Sequence, residues 1–389
     1  MKKPFNIFLI AGEPSGDFLG ARLIQALKRT KNRFEFKGMG GTQMIGAGLQ
    51  QILPFEGLSL MGFFQGLKKT LHLYRYARFL HQKILEEKPD LLITIDFPGF
   101  NFYLGKKLKG TGIPHLHYGA PTVWAWRPWR AKSISRFLNH LLVLYPFEPP
   151  YFERYGLATT FVGHPLMEEK IPQKVNLLSF RKKWGIKEGS TVILLLPGSR
   201  ESELEKHLPI FQETTRFLKE QRKSIHWIIP TLDSLKDSIP ENGWGDTITV
   251  ITSPDDKQAA YALAKGALAA SGTVALELAL ARVPMIIAYK VGALSAAIVR
   301  LLIKTPYVCM VNILLKRGIV PEMLQGNCTP ILLAQKIQNF LTNDRAREKQ
   351  LHAFDRVKTL LQAGDKPPST AAAEVVMEIL KSQKKGSIS

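Results

Sequence analysis

The strongest constraint in this 389-residue sequence is an alternation. Short, almost wholly apolar runs are each followed by a turn-forming cluster and then by a stretch of helical period. Residues 6–10, 91–95, 115–118 and 141–144 read as strands, and 18–28 as a helix with Leu19, Leu23, Ala26 and Leu27 on one face. Strands apolar on both faces belong inside a parallel sheet that helices cover from both sides. At residue 191 the pattern starts again, with strands at 191–196, 227–230, 248–251, 267–270 and 285–288 and a helix from about 203 to 222. The restart predicts an α/β chain of two Rossmann-like domains facing across a cleft, since a chain this long exceeds one ordinary core. The expected limits are 1–165 and 166–365, with a hinge in the Pro- and Lys-rich stretch 163–189. A last helix near 370–381 and a frayed tail from 384 are grouped as 366–389.

Composition narrows the classes of partner. Fifty-three Lys and Arg against 32 Asp and Glu leave a net charge of +21, which attracts polyanions: nucleic acid, an anionic membrane face or phosphorylated substrates. Charge does not choose among them, and a basic surface can serve solubility alone. Cys309 and Cys328 are the only cysteines, and no C-x-x-C or ligand-spaced histidine accompanies them, which argues against a disulfide framework or a zinc site. The apolar stretch 5–11 after Lys2 and Lys3 resembles a signal peptide. It is short and runs into Glu13 and Asp17, so a buried first strand is expected. The apolar span 267–289 holds Glu277, Arg282 and Pro284 and reads as strand, loop, helix and strand, not as a membrane helix.

In open parallel sheets ligands bind beyond the carboxyl ends of the strands, and the unusual clusters fall there. Residues 11–17, AGEPSGD, place two glycines and two acids between a strand and a helix that Asp17 or Ser15 can cap; a tight turn and a ligand loop both fit. Asp96 ends a buried strand in DFPGFN, where desolvation raises a carboxyl pKa toward values useful in proton transfer; an N-cap role competes. Residues 117–130 interleave Trp124, Trp126 and Trp129 with Arg127 and Arg130. That suits stacking and phosphate binding, or a packed loop with its arginines in water. Gly198, Ser199 and Arg200 form an anion loop between strand and helix that lacks the G-K-[ST] ending of a P-loop. Ser271, Gly272 and Thr273 repeat that logic, with Glu277 one turn on and suited to ribose hydroxyls. Between 57 and 85, large apolar residues including Phe63 and Phe64 sit beside Lys68 and Lys69, as in an interfacial helix or one packed on its own domain. Asp255 and Asp256 make no convincing metal motif and read as a surface turn.

Taken in order, AGEPSGD, DFPGFN, PTVWAWR, VGHPL, LLPGSRESE and SGTVALE resemble the motifs of the lipid-A-disaccharide synthase family, from Ile10 to about Leu315. The resemblance implies a glycosyltransferase B fold. It implies transfer of 2,3-diacylglucosamine from UDP-2,3-diacylglucosamine to 2,3-diacylglucosamine 1-phosphate, forming a β(1→6) bond with inversion and needing no metal or other cofactor. By motif it makes Asp96 the base, with Glu13 and Asn312 as further catalytic residues. Gly198, Ser199, Arg200, Ser271, Gly272, Thr273 and Glu277 fall to the donor, and Ser15, Asn101, Trp124 and Arg127 to the acceptor. It also implies work at the cytoplasmic face of the inner membrane, reached through Phe63, Phe64, Lys68 and Lys69, and no nucleic-acid partner. The chain departs from the family's pattern at Gly99, where a second Asp is common, at Gly119 to Thr122, where Ser-Pro-Ser is common, and at Val311, where Pro is usual.

Overall fold

The computed structural model describes residues 3–54, 67–168, 176–221, 225–292 and 305–386. They form two compact units, one of residues 1–168 with 361–389 and the other of residues 169–360.

The first unit holds a seven-stranded parallel sheet: β1 (Phe5–Ala11), β2 (Phe34–Gly40), β3 (Gln50–Pro54), β4 (Leu91–Ile95), β5 (His115–Tyr118), β6 (His140–Val143) and β7 (Ala158–Phe161), in the order β3-β2-β1-β4-β5-β6-β7. β4 is buried at every position, so the apolar runs mark the sheet's centre. The strands absent from the sequence reading lie at or next to its edges. β3 and β7 are mostly exposed or half-buried, and an edge strand needs no continuous apolar run. One face is covered by the helices Pro14–Lys28 and Pro368–Gly386, through Leu19, Leu23, Leu27, Ala372, Val376 and Leu380. The other face packs Leu80 and Ile84 of helix Leu67–Glu87 against Leu104 of helix Pro98–Leu108.

Two expectations change here. The terminal helix is not a separate piece: it completes the first unit's core and continues as helix to Gly386. Its start is pinned by Glu168, which accepts from the amide and hydroxyl of Ser369 and pairs with Arg22 at 3.1 Å. In addition, neither Ser15 nor Asp17 is the N-cap of the first helix; that position is Glu13, whose side chain does not cap it.

The second unit repeats the topology with β8 (Thr191–Leu196), β9 (Ile225–Pro230), β10 (Ile248–Ile251), β11 (Gly266–Ala269), β12 (Met285–Tyr289) and β13 (Glu322–Leu324). Its order, β10-β9-β8-β11-β12-β13, is again wholly parallel. The helices Glu201–Gln221 and Pro330–Thr342 close its core over Phe211, Trp227 and Phe340. Asp255 and Asp256 lie in the first turn of helix Pro254–Leu263 and not in a surface turn, and Asp256 is buried against Lys183 at 2.7 Å. Cys309 and Cys328 are free and buried. Burial pushes the Cys309 thiol up to about 12, so it stays protonated and unreactive. Among the described residues no helix is long and apolar enough to cross a membrane.

Candidate active site

In each sheet the chain reverses its winding direction once, between β1 and β4 and between β8 and β11. At such a point the loops leaving neighbouring strands diverge and open a crevice at the carboxyl ends. Four of the five clusters singled out from sequence leave these four strands, and residues 117–130 leave β5 next to them.

In the first unit, Asp96 follows β4 with φ 48°, and Phe97 repeats that value. Two successive non-glycine residues in the left-handed region cost on the order of 1–2 kcal/mol each, so surrounding bonds must hold them. Asn101 does this. Its Nδ2 donates to the carbonyls of Ile95 at 3.2 Å and Asp96 at 2.7 Å, and the Asp96 amide donates to the Tyr118 carbonyl at 2.8 Å. Asn101 is fully buried; its Nδ2 braces the turn, and its Oδ1 has no partner among the described residues. The Asp96 side chain is partly exposed, and the Ser15 hydroxyl donates to its Oδ2 at 2.7 Å. Oδ1 has no partner among the described residues. Ser15 therefore orients the carboxylate and leaves one oxygen free for a proton.

The two acids of the first loop separate in role. Glu13 is half-buried at the head of helix Pro14–Lys28. Asp17 is buried and accepts from the amides of Gly41, Gln43 and Met44 at 2.7–3.0 Å. It caps the neighbouring helix Thr42–Ala47 and is structural.

The tryptophan segment also divides. Trp124 is buried, meets Phe147 edge-on at 5.2 Å, and donates its indole N–H to Glu148 at 3.2 Å. It is a packing residue and not a surface for an acceptor. Glu148, which the sequence reading missed, also accepts from the amides of Leu144 and Tyr145. Burial pushes its carboxyl up to about 7 against those three donors. Outside remain Trp126, Arg127 and Trp129. The Arg127 guanidinium lies 4.5 Å from the centre of the Trp126 ring. Burial and the neighbouring Arg127 charge lower the pKa of Arg130. Neither arginine has a carboxylate partner among the described residues, which leaves two adjacent cations suited to an anion.

Three histidines of this unit are engaged with other groups. Thr94 Oγ1 bridges His115 Nε2 at 2.7 Å and His117 Nδ1 at 2.8 Å. Burial holds both rings neutral, down to about 3. His164 is held neutral in the same way, down to about 4, with the Leu166 amide donating to its Nδ1.

In the second unit, Gly198 follows β8 with φ +136°, and a Cβ there would stand 2.5 Å from both Cβ and Oε2 of Glu203. Glu203 curls back to accept from the Ser199 amide at 2.9 Å and approaches Arg200 at 3.4 Å. The loop thus carries its own anion, in the manner of a capping box, and the Ser199 amide is already used. Arg200 is 77% exposed and free to turn to a ligand. After β11, Ser271 is half-buried while Gly272 and Thr273 are exposed. The following helix Val274–Leu280 lacks a side-chain cap, and the Ser271 hydroxyl donates to the Val308 carbonyl at 3.3 Å. Glu277 takes Lys257 at 2.6 Å and the Tyr261 hydroxyl at 3.4 Å, both on Oε2. Its Oε1 is left for a hydroxyl.

Asn312 departs from expectation. It is fully buried; its Nδ2 donates to the Val320 carbonyl and to Glu322, and its Oδ1 accepts from the amides of Ile319 and Val320. Glu322 in turn accepts from the amides of Val308 and Cys309. A side chain with both ends spent touches no substrate. Asn312 acts as a positioning residue, fixing the segment whose Val308 carbonyl receives Ser271. Phe63 and Phe64 lie outside the described residues. Lys68 and Lys69 belong to helix Leu67–Glu87, and their side chains are not described. Among the described residues no three His, Cys, Asp or Glu gather as a metal site would require.

These loops can be set beside known proteins. A family profile for lipid-A-disaccharide synthetase matches residues 7–376. The lipid-A-disaccharide synthase of Rhodospirillum centenum is 44% identical over 383 residues, covering 97% of this chain and 95% of its own. That of Chromobacterium violaceum is 38% identical over 383 residues, covering 97% and 98%. A solved UDP-N-acetylglucosamine 2-epimerase from Listeria monocytogenes matches with a TM-score of 0.63 at 15% identity, covering 99% of this chain and 98% of its own. A calicheamicin glycosyltransferase matches with 0.63 at 12% identity, covering 98% and 99%. The last two likenesses are of fold alone, a fold that serves both epimerisation and glycosyl transfer. The sequence relatives and the family profile decide between them: the chain belongs to the lipid-A-disaccharide synthetase family.

Proposed function

We propose that this chain is an inverting UDP-sugar glycosyltransferase that moves 2,3-diacylglucosamine from its UDP carrier to the sugar hydroxyl of 2,3-diacylglucosamine 1-phosphate. The observation that carries the assignment of roles is the Asp96 turn, a strained carboxylate with one oxygen tied to Ser15 and the other open. Asp96 takes the proton of the attacking hydroxyl as that oxygen bonds to the anomeric carbon. The bond from that carbon to the UDP oxygen breaks on the opposite side, and one displacement inverts the centre. Arg200 and the hydroxyls of Ser271 and Thr273 meet the charge that grows on the leaving diphosphate. Glu277, fixed by Lys257, takes a ribose hydroxyl through its open oxygen. Arg127, expected at the acceptor, and Arg130 beside it suit the acceptor's phosphate.

We infer no metal in this scheme, because the arginine and hydroxyl groups supply the charge stabilisation at the leaving group. We also infer work at the cytoplasmic face of the inner membrane. Besides Phe63, Phe64, Lys68 and Lys69, that reading draws support from helix Leu67–Glu87, where the exposed Tyr74 and Phe79 flank the exposed Arg75 and Arg78.

The test is incubation with UDP-2,3-diacylglucosamine and 2,3-diacylglucosamine 1-phosphate in detergent. UDP and a disaccharide 1-phosphate are expected in equal amounts. Turnover of the donor without acceptor, or folded protein giving no disaccharide, would overturn the reading.

A further inference from the structure

We propose that the second unit carries a separate pocket for the phosphate headgroup of an anionic phospholipid, formed by helix Asp344–Leu360 and the turn after helix Met310–Leu315. A depression of about 220 Å³ lies there, with Leu315 and Ile319 in its lining and Arg317, Lys349, His352 and Arg356 around it. Lys349, His352 and Arg356 follow one another at steps of three and four residues, which places them on one face of the helix. All four basic side chains are exposed, and none has an ion-pair partner among the described residues. The acids of the same helix are mostly spent: Asp344 pairs with Arg347 and Asp355 with Arg282. Glu348, one turn before His352, is the remaining carboxylate, so three permanent cations surround the depression against one acid. Like charges held around one concavity repel one another until an anion enters.

The form of the pocket favours a lipid over free phosphate. Its cations sit at the ends of long exposed side chains, and its lining between them is aliphatic. A headgroup phosphate would meet the cations while the glycerol and first methylenes cover Leu315 and Ile319. The choice of a lipid rests on the acylated-substrate reading above. The pocket shares no residue with the segment 57–85 or with those assigned to the donor or acceptor.

Vesicle sedimentation of the whole protein tests the proposal without turnover, so it stands or falls apart from the transferase assay. The wild type is compared with Lys349→Ser/Arg356→Ser and with Lys336→Ser/Lys358→Ser, which removes two exposed charges elsewhere. Vesicles are phosphatidylcholine alone or phosphatidylcholine with phosphatidylglycerol. Since each basic side chain near an anionic bilayer contributes about a fivefold gain, the pocket variant should bind mixed vesicles roughly thirtyfold more weakly. The control should stay within about threefold of wild type, and all three proteins should unfold at the same temperature. Equal loss in both variants would reduce the effect to net charge, and unchanged binding in the pocket variant would remove the pocket. Release of the wild type by inorganic phosphate, but not by chloride of equal ionic strength, would make it a free-phosphate site and overturn the lipid assignment.

Discussion

Asp96 combines an unfavourable backbone with a placed carboxylate, and the two can be separated. Asparagine tolerates the left-handed region and keeps the side-chain shape, so Asp96→Asn should fold normally while kcat falls about 10²–10⁴-fold and KM for either substrate moves little. Loss of stability with activity intact would make Asp96 a turn residue only. Asn312 behaves oppositely: Asn312→Ala leaves the Ile319 and Val320 amides without their acceptor and the Val320 carbonyl without its donor, at about 1–3 kcal/mol per buried group. Urea should then unfold the second unit at a clearly lower concentration, with KM for the donor rising through the displaced Ser271. Residue types were legible in the sequence; their partners were not. Asp17, Trp124 and Asn312 each stand in a motif, yet each is spent on bonds that the fold supplies, as is the Nδ2 of Asn101. Asp17 reaches across 24 positions to Gly41 and Trp124 the same distance to Glu148, separations that no local pattern reveals.

At the level of elements, the central strands and the four loops after them follow from the apolar runs, because burial on both faces leaves a continuous signature. The edge strands β3, β7 and β13 do not, being short or half-wet. The donor loop is specified less by its charge than by its glycine. Gly198→Ala puts a methyl group 2.5 Å from Glu203, expelling that carboxylate from the Ser199 amide and Arg200 from its place. Affinity for UDP, measured calorimetrically, should drop tenfold or more, on the order of 1.4 kcal/mol, while acceptor KM stays unchanged.

For the whole molecule, buried ionisable groups set the response to acid. His115, His117 and His164 have folded pKa values of about 3, 3 and 4, below the unfolded value near 6.5. Their stability contribution is complete above pH 6.5 and declines as the unfolded chain takes up protons below it. Glu148, raised to about 7, acts in the opposite sense between pH 7 and 4.5, where the folded state holds the extra proton. With His140, His207 and His226 also shifted down by burial, the histidines outweigh the one acid, so stability should fall as pH drops from 6.5 to 4.5. Urea midpoints measured across that range would show it, and a flat profile would mean that the histidines charge without unfolding.

The return of helix Pro368–Gly386 to the first unit's core also has a consequence in time. A ribosome delivers residues 1–168 first, yet Leu19, Leu23 and Leu27 keep an uncovered face until positions beyond 368 have emerged. The second unit, continuous in sequence from 169 to 360, can close in the meantime. The half made first is thus the half finished last. A nascent chain stalled with residue 360 just outside the exit tunnel should hold a protease-resistant second unit beside a first unit that is still cleaved.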